Sequence, residues 1–155
     1  MCLIVDANVG NRVFTPTPSA DFAPVWNALV AGRAVAIHGG LLSVEYTRLS
    51  AVARRLLLEL TRQGKVRKAD DAAVELATDE FKQQEINSDD PHILGLARVS
   101  GVRLLCSHDE RLHADFTNPA LLRPKGSIYQ TAEHAHLIAR HCSKQGRRRA
   151  RTRGS

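Results

Sequence analysis

The chain has 155 residues, of which 22 are Lys or Arg and 16 are Asp or Glu, and its formal charge is +6. A content of 43% hydrophobic and 25% charged residues is typical of one folded globular domain and excludes wholesale disorder. No apolar run approaches the ~18 to 20 residues that a membrane span needs, so a membrane-spanning protein is excluded.

The first part of the chain predicts strands and helices in alternation. Residues 3–5 form a short apolar run that ends at Asp6, as in a buried parallel strand. Ser19 can cap a helix over residues 20–31, and residues 34–37 then predict a second strand that ends at two glycines. Apolar residues recur near the helical period over residues 41–63, which predicts a helical hairpin or one long helix.

The second part of the chain continues this alternation. We predict helices over residues 71–85 and 88–101, a strand over 102–106, a helix from the Ser-x-x-Glu capping box at residue 107, an edge strand at Ile128 and a last helix over 131–142. Strands that alternate with helices imply parallel pairing with helices on both faces. The predicted fold is therefore a three-layer α/β/α sandwich with a central parallel sheet.

The positive charge is concentrated at the end of the chain. Six basic residues and no acidic residue lie within 144–155, so residues 1–143 have as many acidic as basic side chains. We therefore predict a neutral domain over residues 1–143 and a basic tail over residues 144–155 that we expect to be disordered. Such a tail is a candidate for sequence-independent binding to phosphates, although it can also be without function.

The N-terminal sequence and the cysteines predict a cytoplasmic protein. Residues 1–6 contain neither the basic nor the apolar region of a signal peptide. Cys2, Cys106 and Cys142 are odd in number, widely separated and without a Cys-x-x-Cys motif, so we expect neither a disulfide framework nor a structural zinc site.

Acidic residues lie where a parallel sheet binds its ligands. Asp6 and Asp109 follow predicted strands, and Glu45 and Asp90 lie on or beside helices that begin at the same edge. Taken singly, a carboxylate in the first turn of a helix is explained by the macrodipole. Four carboxylates that converge repel one another, so they require a cation or raised pKa values. Oxygen ligands without cysteine or patterned histidine favour Mg²⁺ or Mn²⁺.

Four segments, 3–8, 42–46, 90–97 and 104–109, together resemble the PIN-domain nuclease family. In that family an Asp after the first strand is followed two residues later by Asn or Ser, and a Glu comes from a helix after the second strand. A further Asp opens a helix and precedes Ile and Ala at three and seven residues, and a Thr/Ser-x-Asp follows the next strand. The resemblance covers about residues 1–130.

The resemblance implies a Mg²⁺- or Mn²⁺-dependent ribonuclease whose catalytic and metal-binding side chains are Asp6, Glu45, Asp90 and Asp109. Asn8 and Ser107 match polar positions whose hydrogen bonds would orient the carboxylates or metal-bound water. Asn8 can also be a helix N-cap, and Ser107 can serve the capping box.

Two positions near the third acid are ambiguous or depart from the family pattern. Asp89 competes with Asp90, and the spacing to Ile93 and Ala97 favours Asp90. Gly95 stands where the family commonly has Ala, which weakens the helix by up to ~1 kcal/mol.

Basic residues are candidates for RNA binding, because an acidic site by itself repels a polyanion. We select Arg12 and Arg48 with the basic run 65–68 in the domain, and Arg147, Arg148 and Arg149 in the tail. The family also implies the biological role. Many PIN proteins are toxins that an antitoxin protein restrains, and many form homodimers, whereas an RNA-processing or defence nuclease fits the same residues.

Two other classes of function stay open. A Rossmann-like phosphatase would use Asp6 as its nucleophile, but the Asp-x-Asp type needs a second Asp where this chain has Asn8. A catalytically inactive RNA- or partner-binding module is the other alternative, and retention of all four acids argues against it. Neither a dinucleotide-binding glycine motif nor a P-loop is present.

Overall fold

The computed structural model describes residues 1–143. The predicted tail over residues 144–155, with Arg147, Arg148 and Arg149, lies outside the described residues, so its boundary and role stay predictions. Within residues 1–143, none of the helices combines the length and apolar character that crossing a membrane requires.

Strands and helices alternate along the chain, as the sequence predicts. The first half contains β1 (Ile4–Val5), α1 (Ala7–Val13), α2 (Ala23–Val30), β2 (Ala36–His38), α3 (Leu41–Tyr46), α4 (Ala51–Arg62) and β3 (Val66–Lys68). The second half contains α5 (Asp71–Lys82), α6 (Pro91–Ser100), β4 (Leu104–Cys106), α7 (Glu110–Phe116), β5 (Ser127–Tyr129), a 3₁₀ turn (Ala132–His134) and α8 (Ala135–Cys142).

All strand pairs of the sheet are parallel. β4 lies between β1 and β5, and β2 pairs with β3. The two groups are joined through β1 and β2, because Leu3 forms a parallel bridge with Ala36 and its carbonyl accepts a 2.9 Å hydrogen bond from the Ile37 amide. The strand order is therefore β3-β2-β1-β4-β5, with β1 at the centre.

The central strands are covered on both faces. Ile4, Val5, Leu104 and Leu105 are fully buried, although successive side chains of a strand point to opposite sides of the sheet. From β1 to β3 the chain steps toward one side of the sheet, and after β3 it crosses back to β4 and steps toward the other side. Because parallel crossovers are right-handed, the helices of the first set of connections lie on one face and those of the second set on the other. The predicted α/β/α fold with a central parallel sheet is confirmed.

Several predicted elements differ from the structure in their bounds. Residues 41–63 form two helices rather than one, and the Ser50 hydroxyl caps the second by accepting from the Ala53 amide. The helix expected from Ser19 begins at Ala23. Two elements were not predicted. Helix α1 was missed. Strand β3 was missed because it is an edge strand in which only Val66 is buried, so its sequence resembles a basic surface segment.

The prediction that the cysteines form no disulfide is wrong. Cys2 and Cys142 are bonded across a sequence separation of 140, because the start of β1 and the end of α8 lie side by side with Cα atoms 5.2 Å apart. Cys106 on β4 is the free cysteine of residues 1–143 and is buried. Counting cysteines is therefore no support for a reducing compartment, and the cytoplasmic location stays a prediction.

Candidate active site

The candidate site lies where the direction of the strand order reverses. β1 and β4 are neighbours at the centre of the sheet, and the chain leaves them toward opposite sides. Asp6 follows β1 directly, and its amide donates a 2.9 Å hydrogen bond to the Cys106 carbonyl at the end of β4. Such a crevice at the carboxyl ends of the strands is the usual ligand site of an open parallel sheet.

Asp6 is a buried carboxylate with a polar support. Asp6 is only 6% exposed, and its Oδ2 accepts a 2.8 Å hydrogen bond from the Ser107 hydroxyl. The side-chain amide of Asn8 lies 3.5 Å from the same hydroxyl and supports Ser107. The N-cap residue of α1 is Asp6 and not Asn8. Burial raises the pKa of Asp6 most, the bond from Ser107 opposes this, and the charge of Glu45 adds to the rise.

Asp90 and Asp109 join Asp6 at this edge. Asp90 is half-buried at the start of α6, and its pKa is raised to about 6 by burial first, then by a hydrogen bond with Asp109 and by the charge of Asp6. Asp109 is the N-cap of α7, where its Oδ1 accepts from the amides of Arg111 and Leu112 at 3.0 and 3.2 Å. The predicted capping box at Ser107 is therefore wrong, because Asp109 takes the capping role.

The structure separates Asp90 from its neighbour Asp89. The Asp89 side chain is 97% exposed and lies 3.9 Å from the Arg111 guanidinium. Only Asp90 of the two interacts with Asp6 and Asp109, as the spacing to Ile93 and Ala97 indicates.

Glu45 reaches the same edge from α3 but is held by a histidine. Its Oε1 lies 2.7 Å from Nε2 of His92, a buried side chain at the start of α6 whose Nδ1 has no hydrogen-bond partner within residues 1–143. The Tyr46 hydroxyl donates a 2.5 Å hydrogen bond to the Val5 carbonyl and so fixes α3 against the end of β1. Sequence reasoning treated His92 as an ordinary histidine, although its place two residues after Asp90, on the face of Leu96, was a signal.

A second residue that sequence reasoning missed is Asp115. This fully buried carboxylate accepts hydrogen bonds from the amides of Asn87 and Ser88 and from the Asn87 side chain, at 2.8 to 3.1 Å. These bonds order the segment that leads to Asp90. The signal was an acidic residue on the apolar face of α7, between Leu112 and Phe116.

The glycine that departs from the family pattern has a packing reason. A Cβ at position 95 would lie 2.5 Å from the Thr78 hydroxyl and 2.8 Å from the Thr78 amide nitrogen. Helices α5 and α6 therefore approach too closely for Ala, and the resulting loss of helix propensity is the cost of holding α6 in that position.

Arg12 and Arg48 lie on segments that flank the site. The Asn11 side chain accepts a 2.9 Å hydrogen bond from the Ser50 amide, which brings the end of α1 beside the turn after α3. Both arginines are exposed, and no carboxylate within residues 1–143 forms an ion pair with either. Arg12 lies in the last turn of the helix that begins after Asp6, and Arg48 follows Glu45 by three residues.

The side chains present fit a hard cation by their chemistry. Asp6, Asp90 and Asp109 are carboxylates that disfavour one another's charge, and no thiolate competes with them. Over residues 1–143, however, no three His, Cys, Asp or Glu side chains are already gathered as a metal site. Glu45 in particular is turned to His92. The acids therefore form a coupled group that a divalent cation would have to draw together.

Comparison with known proteins adds one weak structural similarity. No protein-family model matches the sequence, and no curated protein matches it. The crystal structure of FitAcB from Neisseria gonorrhoeae is similar over 83% of this chain and 96% of that chain, at 14% sequence identity and a TM-score of 0.43. A similarity of this size does not assign a family, and the architecture stands on the sheet order itself.

Proposed function

We propose that the chain is a PIN-type ribonuclease that depends on Mg²⁺ or Mn²⁺ and hydrolyses RNA phosphodiester bonds. The observation that carries the proposal is the meeting of Asp6, Asp90 and Asp109 at the point where the strand order reverses. These acids come from three separate segments that all match the PIN pattern. Glu45, the fourth acid of the pattern, lies at the same edge.

The carboxylates of Asp6, Asp90 and Asp109 would hold the metal, with Glu45 as the fourth acid. When bound, Mg²⁺ or Mn²⁺ neutralises phosphate charge and lowers the pKa of a water that attacks the phosphorus. Ser107 keeps Asp6 oriented, and Asn8 supports the Ser107 hydroxyl.

Two further groups serve the site in this proposal. His92 holds the Glu45 carboxylate at the rim of the acidic group. Arg12 and Arg48 would contact the RNA backbone, because both are exposed and no carboxylate within residues 1–143 forms an ion pair with either.

The biological role follows the same resemblance. We propose that the protein is the toxin of a toxin–antitoxin pair, restrained by an antitoxin protein and able to form a homodimer. A processing or defence nuclease would use the same side chains. An antitoxin that binds the purified protein and inhibits its cleavage of RNA distinguishes the first role from the second.

The two alternative classes make different demands on the site. A phosphatase of the Asp-x-Asp type that uses Asp6 as its nucleophile needs a second Asp at the position of Asn8, whose side chain instead faces the Ser107 hydroxyl. An inactive RNA- or partner-binding module requires no chemistry from the acids. A cleavage assay separates this module from an enzyme.

The deciding experiment measures cleavage of a mixed-sequence RNA by the full chain with Mn²⁺, with Mg²⁺ or with EDTA. We expect metal-dependent cleavage that falls at least ~100-fold in Asp6→Asn and in Asp90→Asn, since metal stabilisation of the transition state is worth several kcal/mol. Asp89→Asn is the matched control and should cleave as the unmodified chain does, because Asp89 is exposed. Cleavage that persists in EDTA, or in both variants, would contradict the proposal.

A further inference from the structure

A second charged surface lies at the opposite edge of the sheet. The loops that lead into the four strands β2 to β5 all contain basic residues and no acidic residue close to the strand. We name this set the basic edge: Arg33 before β2, Lys65 before β3, Arg103 before β4, and Arg123 and Lys125 before β5.

The parallel sheet brings these loops together. Hydrogen bonds link them in pairs: the Ala36 amide donates to the Lys65 carbonyl at 3.0 Å, and the Ser127 amide donates to the Arg103 carbonyl at 2.7 Å. Neighbouring strands lie ~4.8 Å apart, so five strands spread the basic edge over roughly 20 Å. That length matches several successive phosphates of an extended nucleic-acid strand.

The charges of the basic edge are not neutralised by the domain. Arg33, Arg123 and Lys125 are exposed, and none of them forms an ion pair with a carboxylate within residues 1–143. Within residues 1–143, the Lys65 amine donates to the Val30 carbonyl and forms no ion pair with a carboxylate. At the other edge, Asp6, Asp90 and Asp109 repel an incoming polyanion, so the basic edge is the surface that attracts one.

Arg103 holds two segments of the basic edge together. Its half-buried guanidinium donates to the carbonyls of Ala97 at 2.6 Å and Pro124 at 2.7 Å, and it therefore ties the end of α6 to the loop before β5. A cavity of about 310 Å³ opens here and is lined by Arg98, Arg103 and Arg123 without any carboxylate residue. Arg98 is partly neutralised by Glu80, whose Oε2 lies 2.8 Å away.

The disulfide fixes where the chain leaves the domain. Cys142 is bonded to Cys2, which precedes the central strand β1, so the end of α8 lies in the middle of the basic edge. The next twelve residues contain six Lys or Arg. Asp6 lies four positions after Cys2 along an extended strand, so the two edges are only ~13 Å apart.

We propose that the basic edge binds the sugar-phosphate backbone of a nucleic acid without reading its sequence, on the side of the domain opposite the acidic site. The choice of nucleic acid over another polyanion rests on the proposed ribonuclease function. An RNA held there passes around the side of the domain to reach Asp6.

The test measures the affinity of the full chain for fluorescent single-stranded oligo(dT) by anisotropy, in EDTA and over a range of KCl concentrations. We expect the triple variant Arg33→Gln, Arg123→Gln, Lys125→Gln to bind roughly tenfold more weakly, with a salt slope reduced by about 2, because each phosphate contact contributes ~0.7. A second triple, Arg54→Gln, Arg55→Gln, Lys82→Gln, loses the same charge outside the basic edge and should bind like the unmodified chain.

Two further variants keep the result independent of folding and of the tail. Arg33→Lys, Arg123→Lys, Lys125→Arg retains the charges and should restore affinity. Neutralising Arg147, Arg148 and Arg149 as Gln should weaken binding further when combined with the first triple. Equal binding by the two Gln triples, or no binding of oligo(dT) by the unmodified chain, would overturn the proposal. The proposal would also be overturned if the first Gln triple lost binding of the chain to vesicles of anionic phosphatidylglycerol but left its affinity for oligo(dT) unchanged.

The basic edge and the ribonuclease proposal can fail separately. Asp90→Asn should bind oligo(dT) no more weakly than the unmodified chain, because Asp90 lies at the other edge and contributes only repulsion. The first Gln triple should still cleave a short RNA with Mn²⁺, provided the RNA is too short to reach both edges. Loss of cleavage without loss of binding concerns the acidic site, and loss of binding without loss of short-RNA cleavage concerns the basic edge.

Discussion

At one edge of the sheet Asp6 and Asp109 lie close enough to Asp90 to raise its pKa, whereas at the other edge Arg33, Arg123 and Lys125 are spread out and unpaired within residues 1–143. The two edges belong to the same five strands. In a parallel sheet all strands begin at one edge and end at the other, so residues that precede strands and residues that follow strands are sorted in space. Residues 1–143 contain equal numbers of acidic and basic side chains, and the sheet thereby places a negative group at one edge and a positive group at the other.

The edges also differ in how their charges are tolerated. The basic side chains are mostly exposed, so water solvates each of them at little cost. Asp6 is buried and Asp90 is half-buried, so burial raises the pKa of each and disfavours its ionised form unless a cation is present. We therefore expect substitutions at the acidic edge to alter chemistry and pH dependence, and substitutions at the basic edge to alter affinity and salt dependence.

The largest effect on stability should come from the disulfide at the basic edge. Cys2→Ser with Cys142→Ser should lower the free energy of unfolding by about 2–5 kcal/mol, because the bond closes a loop of 140 residues in the unfolded chain. Denaturant unfolding measures this loss. At denaturant concentrations below its unfolding midpoint, the double Ser variant should still cleave short RNA, because the acids lie at the other edge.

A thiol count gives the control for this prediction. The unreduced protein should show one thiol after denaturation, from Cys106, and three after reduction. Three thiols in the unreduced denatured protein would mean that the bond does not form, and the double Ser variant would then lose little stability.

A smaller effect, on activity, is expected from His92. His92→Leu removes the partner of Glu45 and should lower kcat/KM about 10- to 100-fold, the usual cost of losing a residue that orients a ligand. His92→Gln can still donate to Glu45 and should keep most of the activity. Glu45→Gln and the double variant with His92→Leu complete a cycle, and a double variant far worse than Glu45→Gln would show that His92 does not act through Glu45.

The smallest effect should be a pH-dependent gain in stability. The pKa of Asp90 is raised to about 6 in the folded protein, so the native state holds a proton that the unfolded chain releases near the ordinary value of 3.8. The native state therefore loses stability from this residue as pH rises between these values. In EDTA, Asp90→Asn should be more stable than the unmodified chain by roughly 1–2 kcal/mol at pH 8 and equal to it near pH 3.5.

Asp89→Asn is the matched control for that measurement. Its side chain is 97% exposed, so thermal or denaturant unfolding should change little at either pH. A gain for Asp90→Asn that is the same at both pH values would indicate a packing effect and would contradict the electrostatic explanation.

Much of the acidic edge was predictable from local sequence. Asp6 follows an apolar run, and Asp90 stands at fixed distances from Ile93 and Ala97, so each position had a local signal. For His92 and Asp115 the local signal was only a polar side chain on an apolar helix face, and it did not reveal their partners Glu45 and Asn87, which lie 47 and 28 residues away in the sequence. Edge strand β3 was missed since exposed Arg67 and Lys68 hide the pairing of Val66.

By itself, the sequence determined the alternation of strands and helices, the parallel sheet, and which acids follow strands, because apolar runs and helical periods are local properties of the chain. Only the tertiary structure decided that Cys2 meets Cys142, that Asp109 rather than Ser107 caps α7, and that basic loops gather opposite the acids. The disulfide and the two charged edges depend on strand order, which joins residues far apart in the chain and has no signature in any single segment. The cap of α7 is local, but Ser and Asp both cap helices, so the sequence did not choose between Ser107 and Asp109.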